Sequence, residues 1–265
     1  DHHIAFIKWD MNRNVSEPGW PGAPGDPREI WVRYVEGLYD VWGELRRRHP
    51  AVIFQSCSGG GGRADLGILR LADQIWVSDN TDAPSRLSIQ DGFSHIFPAN
   101  VMEAWVTDAG DGTIPLEFRL HVSMCGSLGL GGNLAKWTPE ERATAARWVA
   151  YYKTIRAIVQ GGDLHRLFSP GTAEAPNPFS ALQYVAKDRS EAVLFAFRLF
   201  LPQYLTMYNE SIFLPTVYLR GLDPDAMYEV EGFPEARSGA AWMYAGLRLA
   251  LPNLGSTVRR IRRRG

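Results

Sequence analysis

An α/β fold of parallel strands alternating with helices, followed by a region of antiparallel β, is what this sequence predicts, and three observations carry the prediction. Short apolar runs, "HIAFIKWD", "AVIFQS" and "QIWVSD", alternate with helical patterns, an order that implies a parallel sheet. Acids stand at the C-terminal ends of two of those runs, where a βα barrel or an open α/β sheet puts its chemistry. After about residue 163 the texture changes to alternating runs separated by Pro, Gly and Asp, "FSALQYVAKD", "EAVLFAFRLF", "PTVYLRGL", "MYEVEG" and "AWMYAGLRLAL", the pattern of antiparallel strands.

Each element has a local reason. "HIAFIKWD" is too short for a helix and enriched in β-branched and aromatic residues, so it reads as a buried strand. The Pro/Gly loop "EPGWPGAPGDP" leads to Asp26 as N-cap and Pro27 at the first helical position. Residues 28–48 then put Trp31, Tyr34, Val35, Leu38, Trp42 and Leu45 on one face, with "RRRH" at the negative end of the helix dipole. A strand at 51–56, the loop "CSGGGGR", a brief helical stretch around Asp65–Leu71 and a strand at 74–79 follow. Residues 85–96 read as helix, 100–108 as a strand, and "SLGLGGN" at 127–133 as a strand running into a glycine turn. "TPEE" at 138–141 is a capping box, and the helix it starts turns Val149, Tyr152, Ile155 and Val159 inward before ending at Gly161-Gly162.

Bulk composition narrows the function classes. The 265 residues, 45% of them hydrophobic, provide a sizeable core, and 28 basic against 29 acidic residues leave no stripe to track a phosphate backbone. Neither nucleic acid nor a membrane is an expected partner, because no apolar run approaches the ~20 residues that cross a bilayer. The run "RRIRRR" at 259–264 reads as a solvated tail. Two cysteines, Cys57 and Cys125, lie far apart and outside metal-ligand spacing, which suits a reducing compartment and makes the cytoplasm the expected location. The opening residues lack the basic flank and apolar core of a signal peptide, so the "NVS" and "NES" sequons carry no meaning by themselves. The chain opens without Met directly before an apolar strand and is expected to be a processed or truncated piece of something longer.

Three strand ends deliver polar side chains: Lys8 and Asp10, Cys57 with its glycine loop, and Asp79. Two carboxylates across a rim without metal ligands are the minimal equipment of a glycosidase. Lys8, two residues before Asp10 on the same side of the strand, would favour the ionised carboxylate a nucleophile requires; a structural ion pair is the competing reading. "CSGGGG" lacks the Lys-Ser/Thr ending of a P-loop and the glycine order of a dinucleotide site, so it is a close-approach loop for a ligand or a flexible connection. Cys57 reads as a small buried side chain before a nucleophile. In "SDNTD", Asp79 at the strand end is preferred over Asp82, which can bond its own turn, with Arg86 or Arg63 partnering Asp82 or the loops. Glu103 and Asp108, near the next candidate strand, are possible rim residues, with solvated loop acids the preferred reading. His2, His3, His95, His121 and His165 form no ligand spacing with the acids, and neither a metal nor another cofactor is expected.

Taken together, "FIKWDMNR", "CSGGGGRAD", "QIWVSDNTDA" and "RLSIQDGFS" resemble the bacterial α-galactosidases of glycoside hydrolase family 36, over most of residues 4–135. The resemblance implies the second half of a (β/α)8 TIM barrel, from about its fourth strand, over residues 1–163, and a small antiparallel β-sandwich domain over 164–265. It implies Asp10 as nucleophile and Asp79 as general acid/base of a retaining mechanism, with Lys8, Cys57 and Gly59 lining the galactose subsite. The substrate it implies is a terminal α-linked galactose on an oligosaccharide, and the full-length family members often form homo-oligomers. An α-N-acetylgalactosaminidase of similar fold and a catalytically inactive carbohydrate-binding fragment are the alternatives.

Overall fold

The computed structural model describes residues 3–12, 15–17, 19–108, 112–172, 174–200 and 215–265. His2 and the sequon residues Asn14 and Asn209 lie outside the described residues. The chain forms two compact units, residues 1–79 and 80–265.

In the first unit, strands β1 (Phe6–Asp10), β2 (Ile53–Cys57) and β3 (Gln74–Trp76) run parallel. The crossover from β1 to β2 is helix α1 (Ile30–Arg48). Asp26 opens this segment by accepting the Arg28 amide at 2.9 Å, and Pro27–Glu29 form a 3-10 turn that leads into the helix. Registers Trp9↔Ser56 and Asp10↔Cys57, with period-two alternation, turn Ile7, Trp9, Phe54 and Ser56 to one face of the sheet and Lys8, Asp10, Gln55 and Cys57 to the other. On the first face the fully buried Trp42 of α1 stacks on Trp9, ring centroids 5.0 Å apart, and tilts onto Phe54 at 5.9 Å. Such ring pairs add about 0.5–1.5 kcal/mol each beyond their buried area. The apolar face expected of α1 is buried only at Leu38 and Trp42; Trp31, Tyr34 and Val35 stay exposed. Trp31 is held instead through its indole N–H, 2.6 Å from the Val15 carbonyl.

The second unit begins with α2 (Ala83–Phe93), β4 (Met102–Val106), α3 (Leu116–Ser123), β5 (Ser127–Leu130) and α4 (Pro139–Gly161). Strands β4 and β5 are parallel, Glu103 opposite Ser127. The Thr138 capping box is present in both directions, Glu141 N–H to the Thr138 hydroxyl at 3.1 Å and Thr138 N–H to the Glu141 carboxylate at 2.8 Å. Next come β6 (Asp163–Phe168), β7 (Phe179–Val185), β8 (Glu191–Arg198), β9 (Thr216–Val217), β10 (Met227–Val230), β11 (Arg237–Ser238), α5 (Gly239–Tyr244), β12 (Leu247–Arg248) and β13 (Ser256–Arg263). A six-stranded antiparallel sheet takes the order β11-β10-β13-β8-β7-β6, and β9 pairs with β12. Strand β8 is buried on both faces: Val193, Phe195 and Phe197 meet Phe118, Tyr152 and Ile155 of α3 and α4, while Ala192, Leu194 and Ala196 meet Leu219, Trp242 and Leu247.

Two expectations fail here for the same reason, the reach of tertiary contacts. "RRIRRR" is no solvated tail: it belongs largely to β13, an interior strand of the six-stranded sheet, with Ile261 fully buried. Its charges are matched across strands, Arg260 to both oxygens of Glu191 at 2.7 and 2.9 Å, Arg263 to Asp223 at 3.4 Å and Arg264 to Glu229 at 3.2 Å. "AWMYAGLRLAL" divides: its first four residues end α5, which the Ser238 hydroxyl caps by accepting the Ala241 amide at 3.1 Å, and Leu247–Arg248 form the short antiparallel β12.

Candidate active site

Asp10 closes β1 as an exposed side chain beside its register partner Cys57. The Cys57 thiol is buried, which pushes its titration up; the Gly60 backbone opposes that shift and the Asp10 contact adds to it. A neutral thiol is therefore what Asp10 meets. Lys8, on the same face two residues earlier, holds its ammonium 4.7 Å from the centroid of the Trp76 ring.

Strand β3 ends at Trp76, so Asp79 lies three residues beyond it and is not fixed by the sheet as the sequence implied. Two other contacts locate it. The Trp76 indole N–H donates to Asp79 Oδ1 at 2.7 Å, so one ring serves both Lys8 and Asp79. The glycine loop also packs on the backbone of residues 77–79: a Cβ on Gly60, at φ +84°, would fall 2.7 Å from Ser78 Cα, and one on Gly61 would fall 2.6 Å from the Val77 oxygen. Close approach is thus the loop's requirement, and the partner that approaches is this chain's own backbone.

The loop is tied to β1 as well. Asn12 Oδ1 accepts the Gly59 N–H at 2.8 Å, and the Ser58 hydroxyl donates to the Met11 carbonyl at 2.6 Å. Gly59, at φ +52°, is exposed, with open space where a Cβ would stand. Lys8, Asp10, Cys57, Gly59 and Asp79 are accordingly all carried by one compact unit, at the C-terminal ends of β1, β2 and β3. Trp76 and Asn12 escaped the sequence reading, although each sits within three residues of an acid already singled out.

The remaining candidates take structural roles. Asp82 caps α2, accepting the Ser85 amide at 3.0 Å and its hydroxyl at 2.6 Å. Arg86 is buried, donates to the Glu103 carbonyl at 2.8 Å and to Gln90 at 3.2 Å, and desolvation lowers its titration to about 10 against the opposing Glu103 charge. Glu103 is correspondingly no solvated loop acid: it is buried on β4 and accepts the Trp105 indole N–H at 2.8 Å. Asp108 is exposed and anchors a loop through the Trp137 indole and the Asn133 amide at 2.8 and 2.5 Å, contacts that lower its titration. Among the described residues no three His, Cys, Asp or Glu side chains gather as a metal group, and no helix is long and apolar enough to cross a membrane.

Parallel strands with acids at or just beyond their C-terminal ends, followed along the chain by an antiparallel sheet, define the class as an α/β chain. Residues 1–162 match the family described as melibiase, and residues 179–260 match the glycosyl hydrolase family 36 C-terminal domain. The chain belongs to the melibiase family. It is 39% identical over 251 residues to alpha-galactosidase AgaA of Geobacillus stearothermophilus, covering 93% of this chain and 33% of that protein. It is 37% identical over 248 residues to alpha-galactosidase Mel36A of Lactobacillus acidophilus, covering 92% and 32%. A crystal structure of a GH36 alpha-galactosidase AgaA variant from G. stearothermophilus in complex with raffinose superposes with a TM-score of 0.87 at 37% identity, covering 98% of this chain and 36% of that one. The chain thus spans about a third of the length of the relatives it matches.

Proposed function

We propose that this chain carries the catalytic carboxylates of a retaining α-galactosidase that releases terminal α-linked galactose from raffinose-type oligosaccharides. The observation that carries the reading is the joint placement of Asp10, in register with Cys57, and Asp79, against whose backbone the Cys57 glycine loop is packed. Asp10 attacks the anomeric carbon while Asp79 protonates the departing glycosidic oxygen; Asp79 then takes a proton from water, which releases galactose from the ester on Asp10. That chemistry calls for carboxyl groups about 5–5.5 Å apart in the substrate-bound enzyme. The glycosyl-enzyme neutralises Asp10, which eases loss of the Asp79 proton for the second step. Lys8, Cys57 and Gly59 line the galactose subsite, where an ammonium, a neutral thiol and an open backbone position meet sugar hydroxyls.

In this reading residues 1–163 are the second half of a (β/α)8 barrel and residues 164–265 a C-terminal antiparallel domain of sandwich type. The apolar side chains left exposed on β1 and α1, Phe6, Trp31, Val32 and Val35, are what the flank of an incomplete barrel would present. The parent enzyme is a homo-oligomer, and the two free cysteines suit a reducing cytoplasm. The test is to incubate the full-length parent with a 2-fluoro galactosyl fluoride and map the labelled peptide. A label on Asp10, with loss of turnover, is the expected result. An active enzyme labelled elsewhere would overturn the assignment, and faster turnover of a 2-acetamido substrate than of the galactoside would overturn the substrate.

A further inference from the structure

We propose that Arg63 is the positioning residue of this site, a guanidinium that sets the nucleophile's main chain from the face opposite the substrate; the proposal rests on Asp10 being the nucleophile. Arg63 closes the glycine loop and is buried. Its Nη2 donates to carbonyls on two neighbouring strands, Trp9 at 2.6 Å and Cys57 at 2.9 Å. The Trp9 carbonyl belongs to the peptide that carries the Asp10 nitrogen. The Cys57 carbonyl also accepts the Met11 amide at 3.2 Å. The backbone on both sides of Asp10 is therefore referred to one nitrogen atom.

The guanidinium is itself immobilised. Nε donates to the Ser56 hydroxyl at 3.3 Å, that hydroxyl donates to the Arg63 carbonyl at 3.2 Å, and the cation lies 5.5 Å from the centroid of the Trp42 ring that stacks on Trp9. This matters because β1 ends at Asp10 and, beyond the Met11 amide's bond to Cys57, the sequence enters a Pro/Gly-rich stretch outside the strand pairing. Nucleophilic attack is sensitive to such placement: a displacement of about 1 Å costs about a hundredfold in rate. A lysine would keep the charge but lose the planar fork that reaches the two carbonyls and Ser56 together.

The full-length parent enzyme carrying Arg63→Lys tests this. We expect kcat on an aryl α-galactoside to fall about 10- to 100-fold, with KM moving less than about threefold. Labelling of Asp10 by the 2-fluoro galactosyl fluoride should slow by the same factor as kcat. Guanidinium ion added to Arg63→Ala should restore part of kcat, a rescue that a purely structural role would not produce. Wild-type kcat and labelling rate in folded Arg63→Lys would overturn the proposal, as would equal losses in kcat and active-site titre, which signal unfolding alone. Should both variants fail to fold, Ser56→Ala decides: a fall of about three- to tenfold in kcat at unchanged KM and unchanged thermal midpoint supports the proposal, and an unchanged kcat overturns it. Failure of wild-type enzyme to label at Asp10 would sink the nucleophile assignment instead, so the two failures are distinguishable.

Discussion

Replacing Gly60 by alanine should separate the catalytic rate from the stability of the fold. The new methyl would lie 2.7 Å from Ser78 Cα and 2.9 Å from the Asp79 amide nitrogen. Ordinary carbon contacts begin near ~3.5 Å, so loop and backbone must part by about 0.8 Å. Both neighbours are main chain, and neither can swing aside as a flexible side chain would. The displacement is therefore delivered to the residue proposed as acid/base, and a shift approaching 1 Å costs about a hundredfold in rate. The left-handed backbone at φ +84° adds about 1–2 kcal/mol of strain for any side chain. In the full-length enzyme, Gly60→Ala should lower kcat on an aryl α-galactoside by about 30- to 100-fold while urea unfolding reports a loss of only about 1–3 kcal/mol. A folded Gly60→Ala enzyme with wild-type kcat would refute the claim that this contact sets the position of Asp79.

Trp76→Phe removes the indole N–H that bonds Asp79 and retains a ring beneath Lys8. A hydrogen bond to a charged group is worth about 1.5–3 kcal/mol, so kcat should fall about 10- to 100-fold for galactosides with poor leaving groups and much less for activated aryl ones; an equal loss on both would argue against Asp79 as the acid. His121 is buried with Nδ1 2.7 Å from the Ser256 hydroxyl, and desolvation first, the Arg147 charge second, lower its titration from 6.5 to about 3. The unfolded chain therefore binds a proton below about pH 6.5 that the folded chain refuses until near pH 3, and stability present above 6.5 is lost progressively as pH falls through that window. Unfolding measurements should show a loss of about 1 kcal/mol from this group between about pH 7 and about pH 5.5, absent in His121→Gln; an identical pH slope in the variant would refute it.

Local signals were legible because their causes are local. Asp26 and Pro27 before α1, the Thr138–Glu141 box before α4 and the β-branched, aromatic run of β1 each act within a few residues and form where the pattern indicated, although β1 is not the buried strand the run implied: Phe6 and Asp10 are exposed and Ile7, Lys8 and Trp9 half-buried. Legibility ended where a residue's environment depends on distant chain. "RRIRRR" is polar by composition, yet it forms an interior strand because Glu191, Asp223 and Glu229 bring countercharges from elsewhere. Glu103 is buried on β4 beside its neighbour Trp105 and the charge of Arg86, which comes from a different element.

Sequence alone, then, determined the alternation of strands and helices, the change to antiparallel texture near residue 163, and the choice of Asp10, Cys57 and Asp79 as strand-end candidates, since periodicity, capping and strand termination are properties of contiguous residues. Only the tertiary structure decided how those candidates are held: Asp79 by an indole and a glycine contact beyond the end of its strand, and the main chain at Asp10 by a guanidinium more than fifty residues away. The indole contact is local, three residues apart, but the glycine and guanidinium contacts cross long chain separations and exist only once the chain has closed on itself, set by packing and by the need to satisfy buried polar groups.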